Sequence, residues 1–66
     1  MTPCPESLCA AYDWIDSAGE WPDALSDPTY AHEAAENAKW HDRDDVTESD
    51  LDAVIAWMRA RKEAGQ

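Results

Sequence analysis

The chain reads as an all-α protein, a small bundle of three main helices at about residues 5–18, 28–41 and 48–63 with a short helical turn at 22–26. Three observations predict this. Apolar residues recur at helical intervals in each long segment, which gathers them on one face. Pro5, Gly19, Pro22, Pro28 and Gly65 fall at the segment ends, where such residues start and stop helices. No stretch alternates apolar and polar residues long enough to make a strand, and there is no internal repeat or low-complexity tract.

Pro5 opens the first helix, and Leu8, Ala11, Tyr12, Ile15 and Ala18 form its apolar stripe. Gly19 ends it. Trp21 precedes Pro22, which pushes it toward an extended conformation. The turn at 22–26 drops Leu25 into the core. The next helix starts with Asp27 as N-cap and Pro28 at the first position. Its alanines at 31, 34, 35 and 38, framed by Tyr30 and Trp40, allow close approach by a neighbour, so this is the central helix.

The last helix has the clearest start. Thr47 is its N-cap, Asp50 takes the third position of a capping box, and Val46 and Leu51 occupy the two hydrophobic staple positions. Leu51, Val54, Ile55 and Met58 form the stripe, widened by Trp57. Arg59, Arg61 and Lys62 lie in the last turns, where cations complement the helix dipole, and Gly65 ends the helix.

All 66 residues form one acidic helical domain, near the lower size limit for folding without a staple. The four tryptophans, Trp14, Trp21, Trp40 and Trp57, would compensate, since each can bury about 150–250 Å². The charge is the outlier. Fifteen acids face five bases, a net charge of −10, and residues 1–58 hold fourteen of the acids but only two of the bases. Solubility asks a small domain for a magnitude of only about 2–8. Such a surface repels nucleic acid and anionic membrane and attracts basic proteins.

No apolar run approaches the roughly 20 residues of a membrane span. The opening "MTPCPESLCAAYDW" lacks the basic and apolar regions of a secretory signal. The expected location is therefore the cytoplasm of a bacterial host cell, where thiols stay reduced.

Neither a catalytic nor a metal signature is present. Cys4 and Cys9 are spaced C-x4-C without a second pair, unlike zinc sites. Cys9 is better read as a small semi-buried helix residue. His32 lies one turn from Glu36, and His41 lies near several acids. Either could act as a general base, but no nucleophile accompanies them, and an exposed histidine on a polar helix face is the simpler account. "DRDDVTESDLD" fails as a calcium loop, because valine or threonine falls at required ligand positions in either register. The expectation is no enzyme, no cofactor and no metal.

The carboxylates as a group carry the functional reading. "HDRDDVTESDLD" at 41–52 has six of them. A helix N-terminus accounts for Glu48 and Asp50 but not for Asp42, Asp44, Asp45 or Asp52. Asp13, Asp16, Glu20, Asp23 and Asp27 recur at spacings of 3, 4, 3 and 4, in a row that Gly19 and Pro22 bend. Acids a turn apart on a helix are about 5–6 Å from each other. The phosphates of a DNA strand have a similar order of separation, one charge per roughly 3.4 Å of axis. A folded surface of this kind can occupy a Lys/Arg groove in place of DNA. Asp42, Asp44, Asp45, Glu48 and Asp52 are the first candidates for partner binding, followed by Glu33 and Glu36.

In length, acidity and compact helical reading, the whole chain resembles the small acidic proteins that phages and mobile elements use against host nucleic-acid machines. Type I anti-CRISPR proteins, including those acting on a type I-C surveillance complex, are the specific likeness. It involves no diagnostic motif, so no functional residue carries over. It implies a stoichiometric inhibitor that docks on a DNA-binding Cas subunit and blocks target DNA. The alternative is a small cytoplasmic adaptor that binds a partner protein through an exposed tryptophan on an apolar helix face, with Trp21 or Trp40 as anchor.

Overall fold

The computed structural model describes residues 6–65. A 3-10 turn at Glu6–Leu8 leads into four α-helices: α1 (Cys9–Ala18), α2 (Trp21–Ser26), α3 (Tyr30–Trp40) and α4 (Glu48–Gly65). The described residues contain no strand. They form an all-α bundle measuring 35 × 26 × 19 Å, in which α3 packs most extensively on α4. No described helix is long and apolar enough to cross a membrane.

The expected opening at Pro5 lies outside the described residues. Within them, regular α-helix starts only at Cys9, because Leu8 at φ −110° and ψ 6° is off the helical path and offers no side-chain cap. Gly19 then ends α1 in the left-handed conformation, at φ 67°. Its N–H donates to the Asp16 carbonyl, and the Glu20 N–H donates to the Ile15 carbonyl, which together make a Schellman motif.

Trp21 is the first residue of α2 and not extended as expected. Its indole packs at a tilt against the Tyr12 ring, centroids 5.2 Å apart, and donates to Asp16 Oδ1 at 3.2 Å, contacts that offset the steric preference of a pre-proline residue. Ala24, and not Leu25, is the fully buried residue of α2; Leu25 is half-buried against the core.

α3 begins at Tyr30, two residues later than expected. Asp27 still provides capping chemistry, since its Oδ1 accepts from both the N–H and the hydroxyl of Thr29 at 2.9 Å. Those bonds hold the Asp27 carboxyl below its ordinary pKa. At the other end Asp42 is left-handed at φ 57°. The Asp42 N–H donates to the Lys39 carbonyl and the Arg43 N–H to the Ala38 carbonyl, so a second Schellman motif forms with aspartate in the usual place of glycine.

These two turns predict opposite outcomes. Gly19→Ala meets no neighbouring atom within 4 Å, so its expected loss of about 1 kcal/mol comes from backbone strain alone. Asp42→Gly removes that strain and should stabilise the fold by about 0.5–1 kcal/mol. Denaturant midpoints of both variants check the signs.

α4 starts as expected. Thr47 Oγ1 accepts from the Asp50 N–H at 3.1 Å, while Val46 and Leu51 are both buried. The core is built from Ala11 and Ile15 of α1, Ala24 of α2, Tyr30 and the four alanines of α3, and Val46, Leu51, Val54 and Ile55. The tryptophans do not fill it. Trp14, Trp21 and Trp57 pack half-buried around its edge, and Trp40 is 84 % exposed. So thin a bundle has little interior for an indole, and the N–H needs a partner when buried.

Candidate acidic interface

Among the described residues no charged side chain is buried, and Tyr30 is the one buried side chain that carries a polar group. The carboxylates therefore reach solvent from every helix, and the fold decides which of them meet.

Arg43 organises the loop between α3 and α4. Its guanidinium donates to Asp45 through Nε at 3.0 Å and Nη2 at 3.3 Å, and it lies over the Trp14 ring at 5.5 Å. The hydrogen bond from Arg43, followed by its charge, holds the Asp45 carboxyl below the usual range. In return, Asp45 and then Asp13 raise Arg43 further. Asp45 is thus half of a loop clasp. Asp42 has the backbone role described above, and both remain exposed.

Glu36, Asp44 and Glu48 converge. With Lys39 and Thr47 they line a cleft of about 210 Å³ between α3 and the start of α4. Lys39 Nζ lies 4.0 Å from Glu36, and His32 Nδ1 lies 3.2 Å from Glu48 Oε1. Asp44 has no ion-pair or hydrogen-bond partner for its carboxylate among the described residues. His32 is thus an exposed partner of Glu48, while the His41 ring is 6.0 Å from that of Trp14.

Asp52 lies one turn beyond Glu48 on α4 and borders a second cleft with Asp27 and Arg59. Arg59 does not serve only its own helix end, as the sequence suggested. It donates to the Leu25 carbonyl through Nε at 3.3 Å and Nη2 at 3.0 Å, satisfying the C-terminal turn of α2.

Glu33 is separated from the Glu36–Asp44–Glu48 group. It borders a third cleft, of about 210 Å³, with Glu20, Asp23 and Asp27. Those three belong to the bent sequence row but were not among the candidate residues. Their spacing was visible, but their convergence with Glu33 depends on the reversal of the chain at Gly19. The Tyr30 hydroxyl donates to Glu20 Oε1 at 2.7 Å in this cleft. Burial, then Glu20 and Asp23, push the phenol well above its ordinary pKa.

A raised phenol pKa means that the fold favours the protonated form. That stability is fully present below the ordinary phenol pKa of about 10 and is lost as pH rises above it. Tyr30→Phe should cost about 1 kcal/mol at neutral pH and should flatten the loss of stability in alkali relative to wild type. Denaturant titrations at neutral pH and above pH 10 test both.

Among the described residues no group of three or more His, Cys, Asp or Glu side chains is placed to hold a metal ion. Cys9 is half-buried, and Cys4 lies outside the described residues. No family model, curated protein or solved structure matches the chain.

Proposed function

We propose that the protein is a stoichiometric inhibitor whose acidic surface imitates a nucleic-acid backbone and occupies the basic groove of a nucleic-acid-binding complex. The resemblance drawn from the whole chain directs this proposal to a Cas subunit of a type I surveillance complex. The protein acts by occupancy, without chemistry.

One observation carries this reading: two thirds of the acidic charge is uncompensated, and it lies at the surface. Fifteen acids are present, and among the described side chains two ion pairs to Lys or Arg are seen, Lys39–Glu36 and Arg43–Asp45, beside the His32–Glu48 contact. The only two bases in residues 1–58, Lys39 and Arg43, are each already held by a carboxylate. A basic partner therefore meets acids with few competing cations. Glu48 and Asp52, one turn apart, repeat at about 6 Å along α4, in the range of a phosphate backbone.

The test uses a purified type I surveillance complex and labelled target duplex. Added protein should prevent duplex binding at one-to-one stoichiometry and should be displaced by excess duplex. Its own affinity should fall steeply with salt, as phosphate-like contacts require. Simultaneous binding of protein and duplex, or affinity insensitive to salt, would count against mimicry.

The adaptor reading retains one favourable observation, the 84 % exposure of Trp40. Trp21 is withdrawn as its anchor, because Tyr12 and Asp16 already engage that indole. No apolar stripe accompanies Trp40, since the outer residues around it on α3 are polar. Salt-insensitive binding is the result this reading expects.

A further inference from the structure

Three of the four tryptophans have their rings engaged within the chain. Trp14 has the Arg43 guanidinium over it at 5.5 Å, and Trp57 has that of Arg61 at 4.9 Å. Trp21 packs at a tilt against Tyr12 and is hydrogen-bonded to Asp16. Both guanidinium contacts lie within the roughly 6 Å of a cation–π interaction.

Trp40 is different. Its side chain has no aromatic, guanidinium or hydrogen-bond partner among the described residues. The nearby cations are committed, Lys39 toward Glu36 and Arg43 to Asp45 and Trp14. Trp40 ends an exposed stripe of α3 that runs through Glu33, Glu36 and Asn37, positions separated by helical intervals and so on one face. The exposed indole thereby sits one turn from Glu36 on the helix face that also carries Glu33.

We propose that Trp40 is a stacking platform for an arginine of the basic partner, with the carboxylates of the same face, Glu36 foremost, holding the guanidinium edge. The inference rests on the acidic-interface reading above and adds a side-chain preference to it. Charge alone accepts lysine and arginine alike. A planar, weakly hydrated guanidinium stacks on an aromatic face while donating at its rim, which a compact ammonium does not do as well. Trp40 would therefore select arginine-rich grooves, the kind that read phosphate bidentately.

The experiment is calorimetric titration at low salt with an oligo-arginine peptide and an oligo-lysine peptide of equal length. Wild type should prefer the arginine peptide by roughly 3- to 30-fold, the range of one cation–π contact. Trp40→Ala should lower arginine affinity more than lysine affinity and so narrow the preference, whereas Trp40→Phe should keep part of it. The Trp40 indole N–H resonance, identified by its loss in Trp40→Ala, should shift with the arginine peptide. Because Trp40 is outside the core, circular dichroism should match wild type.

An unchanged arginine-to-lysine ratio in Trp40→Ala overturns the inference, as does an equal loss for both peptides, which would mean a general apolar contact. If both peptides bind equally and Glu36→Lys with Asp44→Lys abolishes both, the acidic interface stands and the platform falls. If neither peptide binds, the acidic-interface reading itself fails and takes the platform with it.

Discussion

Reversal of Glu36 and Asp44 to lysine is expected to weaken partner binding on the order of 100-fold while leaving the helical fold intact. Both residues line the cleft between α3 and the start of α4, and both are exposed. The double variant changes the net charge from −10 to −6. It also places two cations where a basic groove would have to approach, and like charges across an interface cost several kcal/mol. Asp45 is a poorer choice than the sequence suggests, because its reversal would break the Arg43 clasp and confuse a folding defect with a binding defect. Glu48 has the same drawback, being in the first turn of α4 and hydrogen-bonded to His32 at 3.2 Å, whereas Glu36 gives up only an exposed 4.0 Å contact with Lys39. Thermal stability of the double variant should equal or exceed that of wild type, since like-charge repulsion is relieved. The readout is competition against target duplex on the surveillance complex, with far-UV circular dichroism as control. Wild-type inhibition by the double variant would remove this cleft from the interface.

Leu51→Ala should leave the protein largely unfolded at 25 °C. Leu51 is fully buried and completes the hydrophobic staple with Val46 at the start of α4. Truncating a buried leucine costs about 2–5 kcal/mol, depending on how far the cavity collapses. A single core of this size rarely supplies more than about 3–5 kcal/mol in total, so one cavity can consume most of the margin. Ile15 and Val54 are the other large side chains with almost no exposure, so little remains to close around the gap. A urea midpoint and the helical signal without denaturant measure the effect. A wild-type midpoint would show that the core lies elsewhere.

Much of the secondary structure was legible because it is written in local chemistry. Gly19 and the Val46–Leu51 start act within a turn of themselves, so their consequences follow without knowledge of the rest of the molecule. The same holds for the buried alanines of α3, whose spacing already describes one face of a helix. Local signs misled in two ways: the Asp27–Thr29 hydrogen bonds hold a turn ahead of α3 and delay its start, and elsewhere a contact distant along the chain was responsible. Arg59 appeared suited to the end of its own helix, yet it reaches the Leu25 carbonyl of α2.

The candidate interface divides in the same way. That the chain carries a large acidic surplus, with its bases concentrated at one end, is read directly from the sequence, and the proposal of a basic partner starts from it. Packing settled which acids have other tasks. It gave Asp42 to a left-handed turn and Asp45 to Arg43, brought Glu36, Asp44 and Glu48 to one cleft, and placed Glu33 with Glu20, Asp23 and Asp27 in another. It also left Trp40 in solvent while its three counterparts found partners. Helix periodicity specifies a face of one helix, whereas a surface shared by several helices depends on how their axes pack and where the chain reverses. Those relations arise from contacts between residues far apart in sequence, and no local pattern contains them.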